Sequence, residues 1–182
     1  MKTELASKID QSTAHRKSRE QLSNYVLRRL EVLQDFLQIA FDTSHKNHVK
    51  AFWSLELVCE KKLKVFVPYI DLFCAVLPKL KDDSAIRPAT KICWFLTKSN
   101  HRKNGISLTH EQEHHLIEAL LDRLIQNEKV AAKVYAMRAL FVLGKKYNWV
   151  HVELKNIIEN DYANHSAAYQ AATRNILKKR NS

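Results

Sequence analysis

Five cations recur at two related positions of this 182-residue chain. Lys50, Arg87 and Lys133 share one position in segments that align without a gap, and Lys91 and Arg174 share the position four residues later. Side chains four apart lie on one face of a helix. Helices stacked side by side would line these cations into a stripe able to hold an anionic ligand, with Arg102 and Lys103 of a nearby loop adding to it. The same cations have an internal use: each could ladder onto an acid of an adjacent repeat, and Asp42, Asp83, Glu128 and Asp161 are available. Glu56 stands apart from both. It interrupts the apolar run FWSLELVC at the position where the other copies carry Cys93, Ala139 and Ile176. A carboxylate in a core column needs a cation beside it, or its pKa rises. Arg87 or Lys91 is expected to supply that charge, which makes Glu56 a structural ion pair rather than a catalytic acid.

A second pattern is His110-Glu111-Gln112-Glu113-His114, which matches HExxH, with two histidines one turn apart to bind zinc and a glutamate to act as base. Its context argues against a metal. Thr109 places His110 at the first helical position, and no third ligand follows downstream. Neither metal nor any other cofactor is therefore expected. The three cysteines, Cys59, Cys74 and Cys93, each sit inside an apolar segment and read as reduced core residues of a cytoplasmic protein. The sequence contains no glycine-rich phosphate loop and no Ser or Cys nucleophile motif.

The elements that would position these residues follow from the repeat. The marker positions Lys50, Arg87, Lys133 and Gln170 are spaced by 37, 46 and 37 residues. A period near 40 built from helix pairs is the signature of HEAT or armadillo repeats, in which stacked pairs share a core that one pair cannot bury alone. Two glycines and three prolines suit long helices. The reading is a single all-α domain over residues 1–182, a HEAT- or armadillo-like α-solenoid of about four helix pairs. Residues 1–29 form an N-terminal capping helix, and 30–61, 64–99, 109–147 and 149–180 are the pairs.

Within these spans, Ser12 or Thr13 is expected to cap the helix over 14–29. Pro68 falls in the first turns of a helix over 64–80. Thr109 and Gln112 form a capping box. Gly144 ends the helix that begins after Glu128, and Asn164 or Ser166 caps the last one. Trp53, Trp94 and Leu140 fall in core columns, so no aromatic is expected among the cations of the stripe.

Net charge is +11, and residues 61–110 carry ten basic and three acidic side chains. Such a balance invites a polyanion or an acidic partner. No apolar run is long enough to span a bilayer, so no membrane is expected among the partners.

The stretches DDSAIRPATKICWFL (Asp82–Leu96), NEKVAAKVYAMRAL (Asn127–Leu140) and SAAYQAATRNILKK (Ser166–Lys179) resemble a family of small helical-repeat proteins often catalogued as adenylosuccinate lyase. The resemblance implies a helical-repeat fold and, through that label, a lyase-type activity. The lyase signature loop, with paired serines before Met-Pro and a lysine-asparagine pair, does not occur here, so no catalytic residue carries over. The chain is more distantly similar to the HEAT-like alkylpurine DNA glycosylases, whose basic concave face holds DNA. Their catalytic aspartate and adjacent tryptophans find no matching set. The functional expectation is thus a non-enzymatic scaffold that recognises an acidic protein segment through the basic stripe. Nucleic-acid binding is the alternative, and a lyase-type enzyme the second.

Overall fold

In the computed structural model, residues 2–162 and 165–180 are described, the side chains of Lys2, Leu177, Lys179 and Arg180 excepted. Regular structure among them is helical throughout, with no strand. The chain divides into two compact units, Met1–Ile92 and Cys93–Ser182.

The first unit contains α1 (Lys2–Gln11), α2 (Arg16–Arg28), α3 (Leu33–Phe41), α4 (His48–Lys62), α5 (Ile70–Val76) and the start of α6 (Asp83–Asn100). α4 is its centre and packs against α1, α2 and α3. It is apolar on most sides, so Ala51, Phe52, Leu55, Leu57, Val58 and Cys59 are all buried. A helix of that kind is stable only with neighbours on several faces. Phe41, Phe52, Phe66 and Phe73 form an aromatic cluster in which Phe66 and Phe73 meet edge to face at 5.4 Å, while Phe41 and Phe52 lie tilted to each other at 6.1 Å. Burying one such ring stabilises the fold by about 1.5–3 kcal/mol.

Three local expectations for this unit require correction. Neither Ser12 nor Thr13 caps α2: the Ser12 hydroxyl donates to the Ile9 carbonyl, and the residue preceding the helix is His15, which makes no side-chain cap bond. The helix pair expected over residues 30–61 begins as a 3-10 turn, Leu30–Val32, with Leu30 exposed. The helix expected over 64–80 is broken into a 3-10 stretch, Leu63–Tyr69, then α5, then a second 3-10 turn, Leu77–Lys79. Proline has no N–H to give to a helical ladder. Pro68 lies within the first 3-10 stretch and Pro78 within the second, so the α-helix survives only between them.

The second unit contains the rest of α6, then α7 (His110–Ile125), α8 (Val130–Leu143), α9 (Asn148–Asp161) and α10 (Ala167–Arg180). The capping box forms as expected: Thr109 Oγ1 accepts from the Gln112 N–H at 3.1 Å, and Gln112 Oε1 accepts from the Thr109 N–H at 3.1 Å. α8 packs on α7, α9 and α10 and buries Ala132, Ala136, Met137, Ala139, Leu140 and Leu143. Gly144 does end α8, but not for its backbone freedom, since its φ of −60° suits any residue. A Cβ at this position would lie 2.0 Å from Cδ2 of His151, whose Nε2 donates to the Phe141 carbonyl at 2.9 Å. The glycine is required for space. At the start of α10 the Ser166 hydroxyl accepts from the Tyr169 N–H, while Asn164, the other expected cap, lies outside the described residues.

The four aligned segments fall on α4, α6, α8 and α10. The column that holds Glu56, Cys93, Ala139 and Ile176 is buried in all four copies.

Candidate functional site

The five cations of the basic column are placed one by one by their own elements, and each meets a partner inside the protein. Lys50 Nζ donates to the backbone carbonyl of Asp10. Lys91 Nζ lies 2.6 Å from Glu56 Oε1 and 3.5 Å from Glu60 Oε1. The Arg87 guanidinium is 3.7 Å from the other Glu56 oxygen. Lys133 is 3 % exposed, with Nζ at 3.4 Å from both Asp161 Oδ2 and His165 Nε2. Arg174 donates to the Tyr162 hydroxyl at 2.7 Å. Of the four acids named for a ladder, Asp161 takes Lys133. Asp42 instead accepts from the backbone and hydroxyl of Ser44, and Glu128 takes Arg123 at 2.8 Å. Asp83 opens α6. Arg102 and Lys103 are exposed in the loop after α6.

Glu56 is 1 % exposed and meets both of its named candidates, Arg87 and Lys91. It also faces Arg19 of α2 at 3.9 Å, which no spacing in the sequence connects to it. The arrangement is rich in charge and poor in hydrogen bonds: among the described residues neither Glu56 Oε2 nor Arg19 Nε has a hydrogen-bond partner.

In the HExxH segment the two histidine rings lie against each other at 4.3 Å and both pack on the Tyr147 ring. Glu111 is exposed. No group of three His, Cys, Asp or Glu that could hold a metal ion occurs among the described residues. The informative residue of the segment is Glu113, which is 1 % exposed. Its Oε1 accepts from Asn100 Nδ2 at 2.8 Å; its Oε2 accepts from the Tyr147 hydroxyl at 2.6 Å and from Lys146 Nζ. Burial pushes its pKa up, but the bonds from Lys146, Tyr147 and Asn100 outweigh that and hold it below the ordinary carboxylate value. Burial, reinforced by the bond to Glu113, raises the Tyr147 phenol, which keeps it a donor. Asn100 Oδ1 in turn accepts from the Leu108 N–H, so Glu113 ties α6, the following loop and the end of α8 together. The sequence did hold a signal for it: Glu113, Leu116, Ile117, Leu120 and Leu124 are spaced as one buried helix face.

The side chains best placed to meet a partner belong to a different set. Trp94 and Trp53 are not core residues, contrary to their expected columns; each is partly exposed, and the Trp53 indole donates to the Ser84 carbonyl at 3.0 Å. Only Leu140 of the three is fully buried. Within the second unit, Trp94 and Lys98 of α6 are one turn apart and line a groove of about 600 Å³ with Arg138 and Phe141 of α8, Lys145 just past its end, and Ala172, Asn175, Ile176 and Lys178 of α10. The Trp94 ring stacks on Tyr135 at 5.8 Å. Lys98 Nζ lies 5.0 Å from the Trp94 ring centre, the Arg138 guanidinium 5.3 Å from it and 5.7 Å from Tyr135. Lys145 approaches Phe141 at 6.0 Å. Among the described residues no acidic side chain lines the groove, and Lys98, Arg138 and Lys145 make no ion pair. Aromatic faces attract cations without neutralising them, so the groove keeps its positive charge.

No family model matches the chain, and no curated protein or solved structure is significantly similar to it.

Proposed function

We propose that the protein is a non-enzymatic, HEAT-like helical-repeat binding module and that residues 93–182 hold an anionic polymer in the α6–α8–α10 groove. One observation carries this reading: four cations, Lys98, Arg138, Lys145 and Lys178, line a groove that has no acid in its lining among the described residues. The cations of the aligned column are less suited to the role, because Lys91 and Lys133 are already matched to carboxylates. The repeat reading is supported by the four aligned segments, each of which lies on a helix, and by the buried column they share. Three buried thiols, Cys59, Cys74 and Cys93, support a reducing compartment such as the cytoplasm.

The test is binding of the full chain to heparin and to inorganic polyphosphate, followed by anisotropy across a salt series. The triple variant K98E/R138E/K145E should lose at least ten-fold in affinity, and Lys50→Ala should change it little. Binding that survives the triple variant and disappears with Arg87→Glu would place the surface on the aligned column instead and end this reading.

A further inference from the structure

Building on that groove, we infer that its occupant is single-stranded nucleic acid, with unstacked bases laid on the Trp94–Tyr135–Arg138 surface and phosphates met by Lys98 and Lys145. Charge alone would serve any polyanion. The groove, however, sets three of its four cations against aromatic rings: Lys98 and Arg138 against Trp94 and Lys145 against Phe141, with Arg138 also reaching the neighbouring Tyr135. An acidic peptide would use the charges and leave the rings idle. Single strands present both phosphates and free π-faces, and sequence-tolerant recognition of them combines basic grooves with stacking platforms. In a duplex the faces are already stacked on one another, so a ring at the bottom of a groove cannot reach them.

The two kinds of cation divide the work. Lysine is a compact point charge suited to a phosphate, whereas the planar guanidinium of Arg138 can also stack on a base. Its position over both Trp94 and Tyr135 extends the aromatic surface along α8. Tyr135, Arg138 and Val142 are spaced by three and four residues, so one face of α8 carries them, and Lys145 follows in the turn after it.

The experiment uses the full chain and three labelled probes of equal length: oligo-dT, the same backbone with its bases removed, and poly-glutamate. Oligo-dT should bind at least ten-fold more tightly than the abasic strand, and more tightly than a duplex of the same length. Trp94→Ala should weaken oligo-dT binding by roughly ten- to a hundred-fold and leave the abasic strand unchanged. With two phosphates contacted, the single-strand salt slope should be about −1.4, or roughly a seven-fold loss between 50 and 200 mM. Should Trp94→Ala fail to fold, photocrosslinking of a bromouridine oligomer to the unaltered protein reads the same contact, and adducts at Trp94, Tyr135 or Phe141 are expected. Abasic strand or poly-glutamate binding as tightly as oligo-dT, a preference for duplex, or adducts confined to other regions would overturn the inference while the polyanion groove stood. Loss of heparin and polyphosphate binding as well would remove the groove itself.

Discussion

Glu56 in the first unit and Glu113 in the second are both carboxylates taken almost wholly out of water, yet they are compensated in different currencies. Glu56 is surrounded by charge: Lys91, Arg87 and Arg19 stand at 2.6, 3.7 and 3.9 Å, and one of its oxygens makes no hydrogen bond among the described residues. Glu113 has one cation and two neutral donors, and both of its oxygens are bonded. The cation is itself 57 % exposed. The comparison separates two ways of burying a negative charge. One depends on other buried charges, which become liabilities once the acid is removed. The other depends on local hydrogen bonds, and its one charged donor, Lys146, can turn to solvent.

The largest effect should follow from Glu56→Gln. It leaves Lys91 and Arg19, only 12 % and 14 % exposed, without their counter-charge, and breaking one side of a buried pair costs about 3–5 kcal/mol. Urea denaturation would measure it, and a loss below 1 kcal/mol would erase the contrast. Glu113→Gln should cost less, about 1–3 kcal/mol, because Lys146 regains water. Its pH dependence sharpens the comparison. The folded-state pKa of Glu113 is depressed, so its contribution is present above the unfolded glutamate value of about 4.3 and is lost as pH falls through the folded value. The stability gap between the unaltered protein and Glu113→Gln should therefore be constant from pH 6 to 7 and shrink below about pH 4. A gap that widened on acidification would reverse the sign. Tyr147→Phe, which deletes one of three donors, should cost about 1 kcal/mol and raise the pKa of Glu113, observable by carboxyl NMR titration.

How much of this was legible in the sequence depends on how local each signal is. The capping box at Thr109 and Gln112, the aligned helices and the need for a cation at Glu56 all follow from spacing along one helix or between equivalent helices. Arg19 was hidden because its contact crosses from α2 to α4, outside any repeat register. Trp94 was misassigned for a related reason. It aligns with Leu57 and Leu140, both fully buried, but alignment equates positions and not neighbours. The groove stayed hidden with it, since an aromatic counted as core cannot be counted as a binding surface. Glu113 was overlooked because HExxH drew the reading to His110, Glu111 and His114. The apolar phase of α7 would have found it.

The broken helix between Leu63 and Lys79 has a kinetic consequence. Its two 3-10 segments are held by i→i+3 bonds of poorer geometry than those of the α-helices around them. Only the seven residues of α5 carry a regular ladder. In native-state hydrogen exchange, amides of 63–69 and 77–79 should therefore trade deuterium well before those of α4, through openings that leave the rest of the first unit folded. Pro68 and Pro78 would in this way set the place where that unit first admits solvent.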